Sequence, residues 1–190
     1  MSELEVIGID TSLLKSENEP EEIVPAPLQM PVNPKFRGLI MALEEKLKSL
    51  PNAIDGSDFP LRHSFAEGVY MREMIAPKGL LIITELHRYS YISYVLRGDV
   101  TVLTEDGLRR FTAPCSIISP AGTKRIAYTH EDLLWVTVHP NPSNDMDIDR
   151  LEKEIHVEGG YPNMPNEVIE TDDVDKVYNN FIELAHQEEK

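Results

Sequence analysis

Basic residues are scarce. The 190-residue chain sets 18 Lys and Arg against 33 Asp and Glu, a formal net charge of −15. A nucleic-acid or anionic-membrane surface needs a basic footprint, so this balance argues against both as partners. Cysteine is almost missing: Cys115 stands alone. A single thiol closes no intrachain disulfide, and nothing points to an oxidising compartment. Cys115 precedes Ser116-Ile117-Ile118 and has no low-pKa setting around it. It reads as a buried, inert strand thiol rather than a nucleophile. Long apolar runs are also missing, so no segment has the length to span a bilayer. The N-terminus lacks the basic and apolar regions of a signal peptide, and a cytoplasmic location is expected. There is no Gly-rich phosphate loop, no Ser-His-Asp order and no paired Cys cluster.

Hydrophobic residues make up 41% of the chain, and they concentrate in its middle. Residues 1–33 are acidic and contain Pro20, Pro25, Pro27 and Pro31. Each proline removes a donor and biases its predecessor towards extended geometry, so this stretch reads as an extended arm. Residues 34–51 read as an amphipathic helix. Asn33 is its cap, Pro34 its first residue, and Phe36, Leu39, Ile40, Leu43 and Leu47 form its stripe. Glu44 and Lys48 form an i,i+4 pair on it. From Glu67 the period becomes two. Strands are expected over 69–75, 80–86, 91–96, 100–104, 108–112, 116–118, 125–128 and 133–139, separated by turn signals such as Glu105-Asp106-Gly107. Many short, evenly spaced strands imply a sandwich or barrel. The barrel is expected within 65–142. Residues 145–190 form a helical extension: a short helix from Asp147 to Ile155, a Gly and Pro loop, and a last helix capped by Thr171.

The stretch Gly79 to Pro140 resembles a cupin. The first cupin motif runs Gly, five residues, His-x-His, three or four residues, Glu, six residues, Gly; the aligned run here is Gly79, Glu85-Leu86-His87, Tyr91, Gly98. The second motif runs Pro-x-Gly-x-x-His, then Asn; here it is Pro120-Ala121-Gly122-Thr123-Lys124-Arg125, then Thr129. The resemblance implies a mainly β fold: a single cupin-type antiparallel barrel, or jelly roll, with flanking helices and an extended N-terminal arm. Gly122 to Arg125, then His130-Glu131-Asp132, Trp135, Thr137 and His139, followed by an acidic helix, is similar to small cupin-like proteins encoded by tailed bacteriophages. That implies a viral origin, with the host cytoplasm or the virion as location.

A metal cupin holds its ion with a His-His-Glu-His set, which the resemblance maps onto Glu85, His87, Tyr91 and Arg125. Glu85 and His87 remain acceptable ligands, while Tyr91 substitutes poorly for a carboxylate. Arg125 cannot deprotonate and repels a cation. No cofactor is therefore favoured; the alternative is divalent iron, manganese or zinc at Glu85 and His87 with His130 or His139. Glu85 and Arg125 are expected instead to form a salt bridge inside the barrel. Arg125, Lys124, Tyr91 and His130 are the ligand-binding candidates. His130 and His139 either approach the barrel mouth with His87 or cap a turn and end a strand. Tyr89, Tyr91, Tyr94, Tyr128 and Trp135 line a pocket or build the core.

Three function classes follow. One is a non-catalytic binding or assembly protein. The second is a metal-dependent isomerase or dioxygenase, and the third a metal-free pocket for a small anion. The eroded ligand set favours the first. A homo-oligomer, most simply a dimer, is expected. Another protein is a further expected partner, through the N-terminal arm or the C-terminal helix, although these helical stripes also suit covering the barrel.

Overall fold

The computed structural model describes residues 33–51, 53, 59–157 and 169–187. Residues 1–32 of the arm expected over 1–33, and the Gly159-Gly160 loop, lie outside the described residues. The described chain runs α1 (Pro34–Lys48), β1 (Leu61–Ala66), β2 (Gly68–Ala76), β3 (Leu81–Ile83), β4 (Tyr91–Arg97), β5 (Asp99–Thr104), β6 (Gly107–Thr112), β7 (Cys115–Ser119), β8 (Ile126–Thr129), β9 (Leu133–Asn141), α2 (Ile148–Ile155) and α3 (Thr171–Gln187). A five-stranded sheet has the order β1-β2-β9-β4-β7, and a four-stranded sheet the order β3-β8-β5-β6. Every pairing is antiparallel. The fold is mainly β, with helices at its flanks, as the periodicity predicts.

The two sheets bury their facing sides against each other. Val95, Leu133 and Trp135 from the larger sheet meet Ile82, Val100, Val102 and Ala127 from the smaller one. Alternation along each strand does this: β4 reads buried and exposed by turns, with Tyr91, Ser93 and Val95 inside. The other side of the four-stranded sheet is covered by helices. Leu103, Ile126 and Tyr128 pack there against Ile40 and Leu43 of α1 and Val174 and Phe181 of α3. The α3 stripe, expected to meet a partner or to cover the barrel, covers the barrel.

Local chemistry explains several boundaries. Asn33 accepts the Phe36 backbone N–H at 3.0 Å, and Pro34 opens α1. Asp147 caps α2 in the same way, accepting from Arg150 N. Gly98 has φ +91, and a Cβ there would lie 2.5 Å from the Asp132 carbonyl oxygen. Only glycine fits that turn between β4 and β5.

Two elements differ from expectation. The strand Leu61–Ala66 precedes the expected start at Phe65. Its inward residues Leu61, His63 and Phe65 alternate with Arg62, Ser64 and Ala66, a pattern whose polar inward member masks the period. The strand expected over 80–86 survives only as β3. From Thr84 the chain leaves the ladder, and Thr84 to Leu86 carry no strand assignment.

Candidate functional site

At one end of the barrel the interior turns polar. The inward positions of the large sheet follow from register. Tyr70 of β2 lies opposite His139 of β9, and Arg72 opposite Thr137. Tyr91 of β4 lies opposite Ser119 of β7. On the facing side, Ala127 of β8 enters the core, and Arg125, one residue before the strand, directs its guanidinium inward to Ser119. Lys124 and Ile126 then point outward to α1 and α3.

His87 is the centre of the group. Its ring lies 4.1 Å from that of Tyr91 and 5.4 Å from that of His139, centroid to centroid, and it meets His156 edge-on at 4.9 Å. Its Nδ1 lies 3.0 Å from the Glu85 carbonyl oxygen. A carbonyl only accepts, so this nitrogen carries the proton and Nε2 presents a bare lone pair. That Nε2 is buried with no hydrogen-bond partner among the described residues, and so are His156 Nε2 and Ser93 Oγ.

His156 arrives from outside the barrel. The segment after α2 closes over the mouth in a short bridge, His87 against His156. Val157 N–H donates to Leu86 O at 2.9 Å and Arg88 N–H to Ile155 O at 2.7 Å. The Arg88 side chain donates to the Glu154 and His156 carbonyls. Leu151 and Ile155 of α2 bury their side chains with Tyr70. Glu152 of the same helix pairs with Arg72 at 3.3 Å.

The electrostatics favour neutral imidazoles. Burial, followed by His156, His139 and Arg72, holds His87 well below the ordinary imidazole range. Burial and then Arg72 lower His139 to about 3. Burial and the same guanidinium lower His156 to about 4. Burial raises the Tyr91 hydroxyl, against the opposing pull of Ser119 and Arg125. The Arg125 Nη1 donates to Ser119 Oγ at 3.0 Å.

Several sequence-derived placements are corrected. Glu85 is exposed, and Arg125 makes no ion pair with it. The expectation rested on Glu85 and His87 sharing one face of a strand. The chain leaves strand geometry at Thr84, so the alternation does not hold, and Glu85 turns outward. Lys124 does not share a pocket with Arg125. Its ammonium is buried under α1, 3.1 Å from Glu44 Oε1. His130 does not approach His87; its Nε2 lies 2.6 Å from Thr101 Oγ1, and its ring meets Tyr128 edge-on, on the α1 side of the small sheet. His139 is not an exposed strand end, being 3% exposed. His156 was given no role from the sequence, and no local signal marks it: only the docking of α2 brings it to His87.

These residues do not fit a metal ion. Of the four positions the resemblance maps to ligands, only His87 offers an inward nitrogen with a lone pair free to ligate. The Arg72 guanidinium acts on all three histidines and Arg125 stands beside Tyr91, and both repel a cation. Among the described residues, no three His, Cys, Asp or Glu side chains are grouped so as to hold one.

No family model matches the sequence, and no curated protein matches it. Solved structures that resemble it in fold include cupin-domain proteins. A cupin-2 domain protein from Shewanella frigidimarina is 12% identical; the match covers 43% of this chain and 80% of that one, with a TM-score of 0.37. A cupin domain from Bordetella pertussis is 16% identical, covering 44% and 93%, with a TM-score of 0.36. KdgF from a Halomonas species is 18% identical, covering 45% and 82%, with a TM-score of 0.39. Among the described residues, no helix is long and apolar enough to cross a membrane.

Proposed function

We propose that this chain is a non-catalytic, metal-independent cupin-like protein that works by binding, as a structural or assembly part. Its setting, on the resemblance of Gly122 to His139 and the helix that follows, is a bacteriophage-infected cell. The observation that carries the reading is Arg125. A guanidinium points into the barrel at the position where a metal cupin presents a histidine, and it bonds to Ser119 rather than to a carboxylate. The outward turn of Glu85 removes a second ligand position. The docked His156 segment covers the mouth through which a substrate would enter. Metal analysis tests this directly. Protein incubated with excess iron, manganese or zinc and then desalted is expected to retain only traces. Stoichiometric metal lost on substituting His87 by Phe would move the chain to the enzyme class.

Arg125 also favours a second reading, a small anion held without metal. The group is largely withdrawn from solvent and has no acidic partner among the described residues, so a carboxylate or phosphate would gain a charge-assisted bond there. Calorimetric titration with acetate, citrate and phosphate separates the readings. Heat that disappears in Arg125→Met supports an anion site, and no heat supports the structural one.

A further inference from the structure

Arg72 and Arg125 reach the polar end of the barrel from opposite sheets. Arg72 lies on β2, on the same side of the strand as the buried Tyr70, and Arg125 immediately precedes β8. Both positive charges act on the Tyr91 hydroxyl. Their partners differ in origin. Arg125 bonds to Ser119 of the barrel itself at 3.0 Å. Arg72 instead takes a carboxylate brought by α2, Glu152 Oε1 at 3.3 Å, and the two side chains are 21% and 39% exposed. An ion pair so open to water contributes little and is displaced at low cost. The remaining hold on residues 148–157 is the packing of Leu151 and Ile155 on Tyr70, two backbone hydrogen bonds at the bridge, and the Arg88 side chain.

The covered mouth leaves polar atoms unsatisfied. His87 Nε2 carries a bare lone pair, and both it and His156 Nε2 are buried without a partner among the described residues. Native interiors rarely leave such atoms unpaired. A segment shaped only to seal the barrel would give His87 a donor, whereas this one sets a second imidazole edge-on against it at 4.9 Å. We propose that Glu152 is an internal stand-in for a ligand carboxylate, so that the Arg72–Glu152 pair is an autoinhibitory contact and a small hydroxy-polycarboxylate enters by displacing residues 148–157. The inference rests on the second reading above, an anion held at Arg125. The ligand class follows from the groups that remain once this segment lifts. Two guanidiniums from facing sheets suit two carboxylates of one molecule, and Glu152 shows that Arg72 accepts that group. The His87 lone pair suits a hydroxyl donor between them.

Calorimetric titration of the full chain tests this, with citrate and with tricarballylate, which is citrate without its hydroxyl. Glu152→Gln, at a partly exposed position, removes the competing charge and leaves the barrel as it is. Citrate should bind this variant about fivefold more tightly than the parent, as expected when a weak internal competitor is lost. Tricarballylate should bind either protein about fivefold more weakly than citrate, for want of one hydrogen bond. Saturating citrate should speed amide hydrogen exchange in residues 148–157 of the parent. Equal citrate affinity in parent and Glu152→Gln, or exchange that citrate leaves unchanged or slows, would overturn the autoinhibitory contact. The anion reading would survive that result if Arg125→Met still abolished the heat. Tricarballylate binding as tightly as citrate would overturn the ligand class. No heat with citrate in parent or Glu152→Gln would overturn this inference and the anion reading together.

Discussion

Lys124 and Arg125 are neighbours in sequence and opposites in circumstance. Lys124 points out of the barrel into the layer beneath α1. There Glu44 meets it at 3.1 Å, and Glu44 is met again by Lys48 at 3.0 Å. Arg125 points inward and finds a serine. The outer layer resolves its buried charge with a partner supplied by a helix. The interior resolves its polarity by keeping three imidazoles neutral and leaving one guanidinium without an acid among the described residues. Burying a charge is expensive unless it is paired, so the two regions should respond in opposite ways when their charges are removed.

The sharpest contrast comes from Glu44→Gln. It strands the Lys124 ammonium, whose side chain is 3% exposed. Breaking one side of a buried pair costs about 3–5 kcal/mol. Urea denaturation should show a loss of that order, and a change under ~1 kcal/mol would mean that Lys124 escapes to water. Glu44 itself carries a related signature. Burial raises its carboxyl, but the Lys48 hydrogen bond and the Lys124 charge outweigh burial and hold it below the ordinary range. The pair's contribution is therefore present at neutral pH and is lost in acid, as the pH falls through that lowered value.

Acid should next test the mouth of the barrel. His139 sits at about 3 and His156 at about 4 in the folded chain, against 6.5 when unfolded. Below pH 6.5 the unfolded chain takes up protons that the folded one refuses, so stability falls as the pH drops towards 4. For His156 alone the difference of 2.5 units (6.5 minus 4) corresponds to on the order of 3 kcal/mol. Unfolding free energies at pH 7 and pH 5 should differ in that direction. His156→Leu should flatten the slope, and an unchanged slope would place His156 away from His87.

Lys124→Met should cost less than Glu44→Gln, because Glu44 keeps Lys48. A cost equal to or above that of Glu44→Gln would show that Lys48 gives no shelter. The smallest effect belongs to Arg125→Met. It removes a charge with no acidic partner among the described residues and one hydrogen bond to Ser119, a bond of about 1 kcal/mol. Stability should change by less than about 1 kcal/mol or rise slightly, since replacing a buried charge by an apolar side chain is often neutral or favourable. A loss of several kcal/mol would reveal an acid that Arg125 does contact.

The mainly β architecture could be read from the residues. Period-two alternation marks strands because successive side chains fall on opposite faces. Glycine at 98, 107 and 122 marks turns because each adopts a positive φ. The helix start at Pro34 followed from capping chemistry that spans three residues. The site was less legible. Arg125, one residue before β8 begins, was expected inside, and its bond to the buried Ser119 Oγ places its guanidinium there. Glu85 was misplaced because alternation says nothing once the backbone leaves the ladder at Thr84. His139 was an open alternative, since a strand end is buried or exposed according to what lies above it.

Sequence alone determined what is local: strands, turns, caps and the inward or outward sense of each residue on a regular strand. It also determined the charge of −15 and the mapping of Tyr91 and Arg125 onto ligand positions of the cupin motifs. The tertiary structure decided what is distant. His87 and His156 are brought together by the docking of α2, and Lys124 and Glu44 by the packing of α1, each across about 70 to 80 intervening residues. Such meetings depend on which apolar faces cover each other. No spacing along the chain encodes them, because loop length limits the reach of a segment without choosing its partner.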